Sequence, residues 1–181
     1  MSQLLRAGAM AAVSLMVSAT AAADELDLGV NDNVVSTSLT SQIGDHVNGS
    51  LGYIFSDDRG HLAQVGASMT HDAGVHHLEF GANLGHLWAN HLPDAAFISL
   101  GGKYGLDLGS HLSFHADAYY TPKVLAFSHL DGHYQLGSTI QYDLTPQMGF
   151  YAGYRYIRFE YDGGVDRTFD SGFYVGMKAR F

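Results

Sequence analysis

The chain has 181 residues, enough for one domain, with a formal charge of −9 at neutral pH and no cysteine. The acidic balance argues against a nucleic-acid partner, whose affinity comes from neutralising phosphates, and the missing thiols exclude disulfides and thiolate chemistry. Gly (22), Tyr (11) and Phe (10) are abundant while Pro (3) is scarce, which suits aromatic-rich strands around a crowded interior.

The first segment is a targeting signal. Arg6 gives a positive start, residues 7–17 form an apolar run, and Ala21-Ala22-Ala23 before Asp24 has the small-residue form of a cleavage site. The run is shorter than the roughly 20 residues a membrane-spanning helix requires. The sequence therefore predicts a signal peptide over 1–23 and a mature domain over 24–181, whose formal charge becomes −10 once Arg6 is removed. No later stretch is long enough for a transmembrane helix. If the mature chain enters a membrane it must do so as a closed barrel, because lipid cannot satisfy open backbone groups.

From residue 24 onward the pattern has period two, not 3.6. Candidate strands cover 25–30 and 34–40, the second being the least regular. In 46–56, Val47, Leu51, Tyr53 and Phe55 share one face against Asn48, Ser50 and Gly52. In 61–71, Ala63, Val65, Ala67 and Met69 oppose Gln64, Gly66, Ser68 and Thr70. Over 75–88, Leu78, Phe80, Ala82 and Leu84 oppose His77, Glu79, Gly81 and Asn83. In 96–107, Ile98, Leu100, Tyr104 and Leu106 oppose Ser99, Gly101, Lys103 and Gly105. Next, 111–121 sets Leu112, Phe114, Ala116 and Tyr120 against His111, Ser113, His115 and Asp117. Strand 133–144 sets Tyr134, Leu136, Ile140 and Tyr142 against Gln135, Thr139 and Gln141. Strand 148–161 turns Phe150, Ala152, Tyr154 and Tyr156 away from Gly149, Gly153 and Arg155.

The closing strand, 171–181, alternates Phe173, Val175, Met177, Ala179 and Phe181 with Gly172, Tyr174, Gly176, Lys178 and Arg180. Connections alternate in length. Short turns fall at 72–74, 109–110 and 145–147; longer acidic ones fall at 57–60, 89–94, 122–132 and 162–167. That is the rhythm of an outer-membrane barrel, with short periplasmic turns and longer outer loops. The fold class is all-β, an antiparallel up-and-down transmembrane β-barrel of 8–10 strands. Ten is preferred, because 25–30 then counts as its own strand; eight follows if it only extends 34–40 through a bulge. A soluble barrel with its faces reversed fits less well, since the polar faces carry Gly, Ser, Gln and Asn where a water-facing surface would carry dense Lys and Glu. Tyr53, Trp88, Tyr104, Tyr120, Tyr142, Tyr154 and Tyr156 lie toward strand ends, where amphipathic rings meet headgroups.

Three segments carry a family likeness: Phe114-His-Ala-Asp-Ala-Tyr-Tyr-Thr-Pro122, Gly149-Phe-Tyr-Ala-Gly-Tyr-Arg-Tyr156, and Gly172-Phe-Tyr-Val-Gly176 with terminal Phe181. They resemble the YfaZ family of small outer-membrane proteins, most closely from about Phe114 onward. The resemblance implies a signal peptide and an outer-membrane barrel, and brings no established catalytic residues. The final residues are also similar to the assembly signal of such barrels, with Gly176 and Phe181 in the expected places. The high His content departs from the family pattern.

Inward-facing Glu79 and Asp117 should pair with Lys103, Arg155, Lys178 and Arg180, because a buried charge without a partner is expensive. This predicts a structural barrel whose lumen is filled by side chains; the alternative is a narrow porin-like channel for small solutes. The eleven His give little support to a metal site, since His111 and His115 on one strand are about 13 Å apart and only an i, i+2 pair such as His115 with Asp117, or a pair across strands, could chelate. No metal or cofactor is predicted. His111-Leu-Ser113 resembles the His-x-Ser pairing of outer-membrane lipid A deacylases, a remote hydrolase reading that needs both side chains on one face. Asp57, Asp58, Asp94, Asp131, Asp162 and Asp166 in the loops could hold divalent cations beside lipopolysaccharide phosphates. The expected partners are outer-membrane lipids, lipopolysaccharide and the barrel-assembly machinery.

Overall fold

The structure is a computed structural model that describes residues 24–181; the predicted signal peptide lies outside the described residues. Its strands are β1 (Glu25–Val30), β2 (Val34–Gly44), β3 (Val47–Ser56), β4 (Gly60–Ala73), β5 (His76–Ala89) and β6 (Ala95–Gly109). They continue with β7 (Leu112–Thr121), β8 (Ala126–Phe127), β9 (Leu130–Thr145), β10 (Met148–Tyr161) and β11 (Val165–Arg180). Neighbours pair antiparallel from β1 through β7, then β7 with β9, β9 with β10 and β10 with β11. β11 returns to β1, from Glu25 opposite Arg180 to Val30 opposite Val175, and closes the ring. The barrel has ten strands, and β1 is the separate strand that the even count requires.

The predicted long connection at 122–132 is largely ordered. A single 3-10 turn, Lys123–Leu125, interrupts the line of β7, and β8 then resumes it against Ala96 and Phe97 of β6. Ser128 and His129, at φ 58° and 67°, turn the chain into β9. His46, His91 and His111 also have positive φ, a conformation in which His is enriched. Four of the eleven His are thus turn residues.

Side chains alternate between lipid and lumen as the pattern predicts. Phe173 is 81% exposed, Phe80 65% and Leu84 59%, and they belong to a continuous apolar outer belt with Val65, Leu100, Leu136, Ile140 and Val175. Such a surface suits hydrocarbon, not water, and a closed ring leaves no open strand edge. The protein is a membrane-spanning barrel of the outer-membrane type. Both described ends, Asp24 and Phe181, lie at one rim, joined by a hydrogen bond from Phe181 N to Asp24 O (3.0 Å). That rim carries the two-residue turns 45–46, 74–75, 110–111 and 146–147, which makes it the periplasmic one.

Candidate functional site

The interior is divided along the barrel axis. In the outer half the inward positions of several strands are apolar: Val34, Ile54, Leu62, Leu87, Phe97, Leu130, Ile157, Phe159 and Phe169 form one buried cluster. Phe97 and Phe159 meet edge-on, with ring centroids 5.6 Å apart. The His133 imidazole is fully buried between them, 4.4 Å from Phe97 and 4.7 Å from Phe159. Its Nδ1 lies 3.4 Å from Thr121 Oγ1. Among the described residues, His133 Nε2, Ser99 Oγ and Tyr161 OH have no hydrogen-bond partner.

Just beneath this layer Arg155 Nε donates to Asp170 Oδ2 (2.7 Å), both side chains being nearly buried. Asp170 also accepts from Asn31 Nδ2 (3.0 Å), and the guanidinium lies 4.8 Å over the Tyr174 ring. The β10–β11 register shifts after Ile157, so consecutive Phe169 and Asp170 both turn inward.

The periplasmic half holds a polar vestibule of about 520 Å³. On one wall Glu79 faces Lys103 (3.8 Å), accepts from Ser68 Oγ (3.1 Å) and meets His77 Nε2 (3.1 Å), whose Nδ1 is bonded to Asp72. Glu79, Lys103 and Asp117 are register partners on β5, β6 and β7, giving alternating charge along one row. Beyond Asp117 the row continues through Gly137 to Arg155. A side chain at Gly137 would overlap the Asp117 carboxylate, so the glycine makes room for it. On the opposite wall Lys178 Nζ lies 3.1 Å from Glu25, and Arg180 lies 3.4 Å from both Glu25 and Asp143. Deeper in, Tyr151 OH donates to Asp27 (2.6 Å).

The six predicted lumen charges do all point inward, but they do not form one network. Only Glu79 and Lys103 pair with each other. Arg155 pairs with Asp170, and Lys178 and Arg180 pair with Glu25, partners that the strand pattern had not singled out. The predicted side-chain filling is found in the outer half alone. Gly176 receives the Tyr151 phenol, and Phe181 is exposed at the periplasmic rim.

The His111–Ser113 pair does not form. His111 sits in the turn, where alternation is broken, and its ring lies beside outward Tyr142 (6.4 Å), while Ser113 Oγ meets His115 Nε2 (3.0 Å) inside. Among the described residues no group of three or more His, Asp and Glu could hold a metal ion. At the outer rim, Asp131 and Asp166 are bonded to Lys123 and Arg158, and Asp94 accepts from Ala89 N (3.1 Å).

A family model described as "YfaZ precursor" matches residues 3–181, nearly the whole sequence. The chain belongs to the YfaZ family. Among solved structures, it is similar to a KdgM porin in complex with disordered oligogalacturonate, with 13% identity and a TM-score of 0.49, covering 87% of this chain and 98% of that one. It is also similar to the outer membrane channel DcaP of Acinetobacter baumannii, with 11% identity and a TM-score of 0.47, covering 86% of this chain and 54% of that one. No curated protein matches the sequence.

Proposed function

We propose that the protein is a narrow, porin-like channel of the outer membrane for small polar solutes, without catalysis, held shut by the apolar layer in its outer half. The observation that carries this reading is the vestibule: a barrel with only a structural role has no need of an open half lined by polar and charged side chains. Hydrophobic constrictions gate pores by excluding water, and they pass solutes when they wet. The buried polar atoms of Ser99, His133 and Tyr161 lower the cost of wetting this one.

Single-channel recording in planar bilayers tests the proposal. Brief, infrequent openings are expected for the wild-type protein. Complete silence, both in it and in a correctly folded variant with a trimmed apolar layer, would leave a purely structural barrel. That second reading is favoured by the full burial of Leu62, Phe97, Ile157 and Phe159. The remaining partner roles are proposed on chemistry alone. The apolar belt meets outer-membrane lipid, Asp57 and Asp58 face lipopolysaccharide through divalent cations, and the strand ending at Phe181 is read by the assembly machinery.

A further inference from the structure

The vestibule wall carries five carboxylates against three permanent cations. Each cation is engaged: Lys103 with Glu79, and Lys178 and Arg180 with Glu25. Asp24, at the exposed rim, accepts from Gln42 N and Ser41 Oγ. Asp117 lies in a row with Lys103 on one side and Arg155 beyond Gly137 on the other. Asp27 is different. Its register neighbours are Ser38 and Lys178, and the lysine is committed to Glu25 at 3.1 Å. Among the described residues no cation lies within ion-pair distance of Asp27; its contact is the neutral hydroxyl of Tyr151.

Asp27 keeps solvent contact through the vestibule, beside the rings of Tyr151 and Tyr174, which meet edge-on at 5.6 Å. A carboxylate next to aromatic rings is the combination that holds an organic cation, by ion pairing and by attraction to the ring quadrupole. Tyr174 already receives one such cation, since the Arg155 guanidinium lies 4.8 Å over its ring. We propose that the vestibule takes up small organic cations, primary amines or guanidinium compounds, with Asp27 as the carboxylate that anchors them. This rests on reading the vestibule as a solute compartment, and it gives the solute class of the proposed channel.

Titration of the refolded full-length mature protein in micelles with putrescine, following the tyrosine ring resonances, tests the site without requiring conduction. Saturable shifts of Tyr151 and Tyr174 are expected with putrescine and none with galacturonate, an anion of similar size. Asp27→Asn should weaken putrescine binding by about tenfold or more, the usual cost of losing a charged partner. Tyr151→Phe keeps the carboxylate and frees the oxygen that the hydroxyl occupies, so binding to it should persist, read from Tyr174. Equal binding of galacturonate, no saturation with putrescine, or unchanged affinity in a folded Asp27→Asn variant would each overturn the proposal. Should Asp27→Asn fail to fold, loss of binding in Tyr151→Phe would overturn it as well. Saturable binding in a protein that never conducts would refute the channel and leave the site standing; conduction without binding would do the reverse.

Discussion

Tyr151 fills the space that a side chain at Gly176 would need. The two are register partners on β10 and β11, and a Cβ at Gly176 would fall onto the Tyr151 phenol and the Leu28 carbonyl oxygen. Gly29 of β1 sits opposite Gly176, so two glycines open a gap through which Tyr151 reaches Asp27. Gly176 therefore has a packing role in the folded barrel beside the assembly role proposed for the final strand.

Gly176→Ala should destabilise the barrel by about 1–3 kcal/mol, the usual cost of forcing a methyl group into a filled interior. Urea unfolding in lipid vesicles measures it. Combining it with Tyr151→Ala should cost less than the sum of the single changes by at least about 0.5 kcal/mol, because the overlap with the ring has gone. Unchanged stability of Gly176→Ala, with the protein failing to reach the membrane in cells, would assign Gly176 to assembly alone.

Arg155→Ala leaves Asp170 charged in a nearly buried position, 2.7 Å from where its partner was. Breaking a pair of this kind from one side costs roughly 3–5 kcal/mol, more than the pair itself contributes. Asp170→Asn added to Arg155→Ala should recover much of that loss, again by urea unfolding. An Arg155→Ala variant as stable as wild type would show that water reaches Asp170 and that the layer above it does not exclude solvent.

Ten strands and their two faces were legible in the sequence because side-chain alternation is enforced by backbone geometry, and β4 and β5 pair along their length without a register shift. The outer-half layer was not. Leu87 beside Trp88 and Ile54 beside Phe55 place apolar residues on both faces, and alternation then gives no hint that the inner ones meet across the lumen. The ion-pair partners were hidden for a related reason. Asp170 keeps the inward parity of Gly172 and Tyr174 but lies just before the predicted closing strand, 171–181, and it is Phe169 that the bulge turns inward; Glu25 lies against Lys178 only because β1 closes on β11. Pairing of this kind depends on register between distant strands, which the pattern within one strand does not encode.

The direction of the barrel's faces is testable at single residues. Leu84, near the middle of β5, is 59% exposed in the outer belt. Leu84→Lys should cost roughly 2–4 kcal/mol in vesicles if it lies near the bilayer midplane, whereas a lysine at Tyr142, near the periplasmic end of β9, should cost about 0–1 kcal/mol. A tolerated lysine at Leu84 would mean that this face meets water, and the membrane orientation would then be wrong.

Phe97 and Phe159 are the two largest fully buried side chains among the described residues, and both pack on His133. Removing both rings should take away the proposed seal while leaving the vestibule and its ion pairs in place. Phe97→Ala with Phe159→Ala should convert brief openings into long-lived conductance in planar bilayers. Each change also removes buried contacts worth about 3–5 kcal/mol, so the single variants are the first to record. Migration of the unheated barrel on gels reports whether each remains folded. The acidic excess of the vestibule predicts that the opened pore favours K⁺ over Cl⁻, read from the reversal potential in a salt gradient. Lys103→Ala should increase that preference by freeing Glu79, and Asp27→Asn should reduce it. If the trimmed variants fold yet carry no current, the outer half is closed by more than these rings, and the protein works as a sealed barrel.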